Sequence, residues 1–153
     1  TAWKAFYFFY LIGVPVVAGG YSWTIVLVSF VVMHAFISVF FVLTLIISHL
    51  CLETKFPVPD ENGMLPYTFH QHQLEVSMDY HPTSKVANWI FGGFNSHSAH
   101  HLFAHLPHTL YVKITPMIRE ASARFGYVYN EMRLTACIRS HFGYLKKLGM
   151  NPG

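Results

Sequence analysis

From Ala5 to Leu52 no side chain is charged, and apolar residues follow one another with almost no polar break. As a single helix this block would be about 70 Å long, more than twice a ~30 Å hydrocarbon core, so it has to turn back. Gly19-Gly20 is the expected hinge. It divides the block into a first helix from about Trp3 to Ala18, with Pro15 expected to kink it or end it early, and a second from about Tyr21 to Leu50. Trp3, Tyr7, Tyr21 and Trp23 sit near the ends of these segments, where amphipathic rings favour the membrane interface.

After Leu52 the pattern changes. Glu53 to Tyr67 is dense in turn formers (Phe56-Pro57-Val58-Pro59-Asp60-Glu61-Asn62-Gly63) and reads as a loop. Phe69 to Tyr80 reads as a helix or an irregular segment, Pro82 and Ser84 break the chain, and Val86 to Phe94 is apolar again. A helix is expected from about Asn95 to Leu106, limited by Pro107. Thr115-Pro116 is expected to cap and open a helix that runs to Gly126. Asn130 is expected to cap a last helix that stops at Gly149, with Lys146 and Lys147 complementing its dipole. The fold class expected is therefore an all-α membrane protein. Residues 1–52 form a transmembrane helical hairpin, and residues 53–153 form a cytoplasmic helical cap.

Composition agrees with that division. Of the side chains 53% are hydrophobic and only 11% are charged, against about 25% in ordinary soluble proteins. Of the 10 Lys and Arg, only Lys4 precedes the apolar block. The positive-inside rule then puts both flanks of the hairpin in the cytoplasm. A formal charge of +3 is too small and too scattered for nucleic-acid binding. Cys51 and Cys137 are read as free thiols, as befits a cytoplasmic cap. The chain opens at Thr1 without a signal peptide's basic start, and reads as beginning inside a longer protein.

The chemistry concentrates in His97, His100 and His101, an H-x-x-H-H cluster. Residues three and four apart share a helix face, so these imidazoles can converge on one metal ion. His105 extends the stripe but ranks below them, because a metal seldom takes ligands spread over more than two turns of one helix. Of His70 and His72, two apart, at most one is expected to join. His34 is expected to make an interhelical hydrogen bond in preference to binding metal, and for His49 an interfacial role ranks ahead of an outer partner to a metal site. There is no H-E-x-x-H, which argues against a zinc protease.

Gly92-Gly93-Phe94-Asn95, His97-x-x-His100-His101-Leu102-Phe103 and Pro107-His108 together resemble the third histidine box of the membrane fatty acid desaturases. His72-Gln73-Leu74, Tyr111 with Ile114, Gly126-Tyr127-Val128-Tyr129 and Leu145-Lys146-Lys147-Leu148-Gly149 resemble the C-terminal half of the linoleoyl-CoA-desaturase-like branch. The resemblance implies a non-haem diiron site in the complete protein, with His97, His100 and His101 as third-box ligands and His72 as the extra ligand. It also implies O2-dependent removal of two hydrogens from an acyl chain at the membrane, with electrons from a ferredoxin or cytochrome b-type donor. Two departures stand out. Ala104 replaces the family's proline, which is expected to alter the helix end and not the metal site. The first two boxes are missing, so the chain is expected to carry half of an active site and to be inactive alone. The alternatives are an acyl hydroxylase of the same superfamily and a non-enzymatic membrane protein that binds zinc.

Overall fold

The computed structural model of the protein describes residues 2–150, which divide after Val42 into two units. In the first unit, α1 (Ala2–Phe8), a π turn (Phe9–Gly13) and α2 (Val14–Val17) form one apolar run. Pro15 lacks the N–H that would return to the Leu11 carbonyl. A wider turn just ahead of it keeps the run helical as far as Val17. Gly19 and Gly20 fall between this run and α3 (Trp23–Ile46). Tyr7 Oη lies 2.8 Å from His34 Nε2, the interhelical hydrogen bond expected of that histidine.

Among the described residues α3 alone is long and apolar enough to cross a membrane, with a mean hydropathy of 2.7. It is apolar all round, as a helix in lipid is. It stops short of the expected Leu50 because its end tightens. The Ser48 and His49 amides bond to carbonyls three residues back, on Leu45 and Ile46.

The second unit is built from short helices tied by side chains. Thr68 caps α4 (Phe69–Glu75) through the Gln71 amide, and Ser84 caps α5 (Lys85–Ile90) through the Ala87 amide. Next come α6 (His97–Leu102), a 3-10 turn (His108–Leu110), α7 (Tyr111–Arg124) and α8 (Leu134–Met150). The protein is thus mostly helical. The exception is a parallel pair, β1 (Asp79–Tyr80) with β2 (Glu131–Met132), in which Asp79 faces Glu131.

Two expected caps are used otherwise. α7 begins four residues before Thr115, so Pro116 lies inside it, and the Thr115 hydroxyl donates to the Tyr111 carbonyl at 2.8 Å. Burial of Tyr111, Thr115, Ile118 and Ser122 along one face extends the helix forward despite the proline. Asn130 does not cap α8. Its Nδ2 donates to the carbonyls of Leu74, Glu75 and Ser77, while the Leu134 amide that opens α8 bonds to His81 Nε2. That last helix also runs through Gly149 instead of stopping there.

The core has two parts. Ile47, Cys51, Met78, Tyr80 and Cys137 form one; Leu74, Ala99, Tyr111 and Ile118 form the other. Both cysteines are free and buried, and burial pushes the Cys137 thiol up to about 12.

Candidate metal centre

The approach to α6 explains the residues that precede the histidines. Gly92 and Gly93 both have positive φ, 57° and 86°. A Cβ on Gly93 would stand 2.5 Å from the Cβ of His108, so only glycine fits. Asn95 is fully buried; its Nδ2 donates to the His81 carbonyl at 3.1 Å and its own carbonyl accepts the Tyr80 amide at 2.9 Å. The helix then covers only His97–Leu102, not Asn95 to Leu106. Phe103 leaves helical geometry at φ −135°, and Ala104 and His105 lie in a turn. Leu106 precedes a proline, which disfavours helix at that position. His105 is therefore exposed and off the stripe.

His97 and His101, one turn apart, meet His49 from the end of the apolar block. The ligand atoms of these three lie within 4.8 Å of one another. His97 Nε2 is 2.8 Å from His49 Nε2, and the His101 ring centre is 4.6 Å from that of His97 and 5.3 Å from that of His49. His49 Nδ1 donates to the Val76 carbonyl at 3.1 Å, which turns the lone pair of Nε2 toward His97. His100 flanks the group, its ring centre 5.7 Å from both His97 and His101 and its Nδ1 3.5 Å from Tyr111 Oη. His72, on α4, acts electrostatically on His101. His70 instead lines an apolar cavity of about 690 Å³ with Leu74, Leu102 and Ile118.

The site suppresses protonation. Burial, then the neighbouring His49, His101 and His100, push the His97 imidazole down to about 2. Burial, then His49, His100 and His72, push His101 down to about 4. Neutral imidazoles are the form that binds metal. His72 Nδ1 and His101 Nε2 are buried with no hydrogen-bond partner among the described residues. Imidazole nitrogens of His49, His97 and His101 within 4.8 Å of one another suit a transition-metal ion, whose N-donor preferences they match.

Of the four ligands expected from the sequence, His97 and His101 come together closely, with His100 and His72 around them. The residue ranked lower from the sequence is His49, which the fold brings against His97. Its position at the close of an uncharged span, on the side where the histidine cluster follows, was the available signal.

Residues 1–133 match the fatty acid desaturase family, and the chain belongs to that family of oxidoreductases. The sn-1 linoleoyl-lipid 6-desaturase of Arthrospira platensis is 33% identical over 81 residues, 52% of this chain and 22% of that protein. The acyl-lipid (8-3)-desaturase of Physcomitrium patens is 29% identical over 149 residues, 96% of this chain and 31% of the relative. The sn-1 linoleoyl-lipid 6-desaturase of Synechocystis sp. is 26% identical over 142 residues, covering 92% and 39%. The chain thus spans between 22% and 39% of the length of these three relatives. No solved structure matches it.

Proposed function

We propose that this chain is the C-terminal part of a membrane fatty acid desaturase, which introduces a double bond into an acyl chain in an O2-dependent reaction at a histidine-held non-haem iron centre. The observation that carries the reading is the convergence of buried, neutral imidazoles with unpartnered nitrogens in a chain of this family. His72, His97, His100 and His101 are the assigned ligands, and His49 joins them by its position against His97. When bound, iron supplies the oxidising power that an unactivated methylene demands. The residues of the chain hold and orient: the Val76 carbonyl fixes the His49 ring, and burial keeps His97 and His101 uncharged and away from water.

Residues 1–52 are assigned to a transmembrane hairpin and 53–153 to a cytoplasmic cap, supported by the apolarity of α3, the apolar run before it and the bias of Lys and Arg. The names of the relatives favour an acyl chain carried on a lipid. The electrons come from a separate ferredoxin or cytochrome b-type donor. The test is to purify the full-length protein, measure its iron and zinc, and analyse the acyl lipids of cells that express it. Two irons and a new double bond support the reading. An alcohol product moves the assignment to a hydroxylase. One zinc, no iron preference and unchanged lipids overturn it.

A further inference from the structure

α6 carries three of the assigned ligands on only six residues, too few to hold a helix in place by itself. Unlike α4 and α5, it has no local cap. The Ser96 hydroxyl is turned away and donates to the Pro82 carbonyl at 3.1 Å. The open amide in its first turn, on Ser98, is met instead by Asp79, nineteen residues upstream, whose Oδ1 accepts it at 2.8 Å. Asp79 Oδ2 accepts the Tyr129 hydroxyl at 2.6 Å. The carboxylate is fully buried, and no Lys or Arg pairs with it among the described residues. A buried carboxylate without a cation is expensive, whereas Thr68 and Ser84 cap their helices at no such cost.

The backbone beside Asp79 is tied down as well. Its amide bonds to the Asn130 carbonyl at 3.0 Å, and the Tyr80 amide to the Asn95 carbonyl at 2.9 Å. Asn130 in turn holds the C-terminal carbonyls of α4, the helix of His72. Turning α6 about its axis would carry His97 and His101 away from His49 together, and the bond to Ser98, the residue next to His97, opposes that turn.

We propose that Asp79, braced by Tyr129, is a positioning residue of the metal centre: it sets the rotation of α6 and so aims His97 and His101 at His49. The inference rests on the metal-site reading above.

The test uses the full-length protein and its Asp79→Ala, Asp79→Asn and Tyr129→Phe variants. Cobalt(II) binding is followed by visible absorption, and amide exchange across α6 is measured in the metal-free proteins. Asparagine keeps an acceptor for Ser98, so Asp79→Asn should bind cobalt within about threefold of the parent, whereas Asp79→Ala should lose ~10–100-fold, the usual cost of losing a partner that orients a ligand. Exchange over α6 should accelerate in Asp79→Ala and not in Asp79→Asn. Wild-type affinity in Asp79→Ala, or equal losses in both variants, overturns the proposal. If the parent binds no cobalt, the metal reading falls, and exchange alone decides whether Asp79 anchors α6. If Asp79→Ala does not fold, Tyr129→Phe must loosen α6 in the same direction, and unchanged exchange in that variant counts against the proposal.

Discussion

Gly93→Ala isolates one of the contacts on which the histidine helix depends. Gly92 and Gly93 both adopt positive φ, so alanine at either position carries the left-handed penalty of ~1–2 kcal/mol. Their surroundings differ. Nothing lies within 4 Å of a Cβ placed on Gly92, whereas one on Gly93 would stand 2.5 Å from His108 Cβ and 3.1 Å from the Tyr111 ring. A Cβ is fixed to its own backbone and cannot swing aside, so the turn at His108 has to move, at a further ~1–3 kcal/mol of overpacking. Gly93→Ala should therefore destabilise by ~2–5 kcal/mol and Gly92→Ala by no more than ~2 kcal/mol. The shift also reaches the site, since the Gly93 carbonyl accepts the Ser96 amide at the entry to α6. Chemical and thermal unfolding of the purified full-length variants, read by near-ultraviolet circular dichroism, measures both effects. Equal stability of the two variants would refute the steric argument.

His49→Gln should lower metal uptake at least ~10-fold while His105→Gln leaves it unchanged, as measured by elemental analysis after dialysis against a metal buffer; equal effects would return His49 to a merely interfacial role. Removing metal with a chelator should lower the thermal midpoint, by ~2.7 kcal/mol of stability where metal had stood at a hundred times its dissociation constant, and adding iron back should restore it. The metal-free protein should weaken in acid. The folded values of His97 and His101 lie below the ordinary 6.5, so their contribution is full above pH 6.5 and is lost as pH falls toward about 4 and about 2. Asp79 acts oppositely: burial raises it from 3.8 to about 6, so its contribution is full below 3.8 and is lost as pH rises through about 6. Between pH 6 and pH 4, two histidine protons against one carboxylate proton leave a net loss of ~1.4 kcal/mol per pH unit, and a flat midpoint across that range would contradict it.

Local periodicity made most of this architecture legible. The uncharged block announces α3, and the spacing of His97 and His101 puts their rings on one face whatever surrounds them. The hydrogen bond of His34 follows from its isolation in apolar surroundings. What local reading misses is chiefly the side chain recruited by a distant segment. Thr115 and Asn130 have the chemistry of caps, yet one bonds back within its own helix and the other holds α4 from more than fifty residues away. The partner of His49 was out of sight for the same reason, since His97 lies forty-eight residues further on. The converse case is α6, where Ser96 stands in the capping position and Asp79 does the capping.

The unpartnered nitrogens bear on what the fold is for. Leaving a buried polar group unsatisfied costs ~1–3 kcal/mol, and His72 Nδ1 and His101 Nε2 are two such groups. Together they amount to ~2–6 kcal/mol, a sizeable fraction of the ~5–15 kcal/mol by which whole domains are stable. A solvated histidine face would carry no such cost, because water would satisfy each ring. A packed structural cluster would relieve it with backbone carbonyls, as His49 and His141 each do through Nδ1. A metal ion held by His49, His97 and His101 would instead use such nitrogens together, so that its binding would be coupled to the stability of α6. Such coupling would account for so short a helix, with no cap of its own, lying where polar ties from β1 and the Tyr129-Asn130 segment converge.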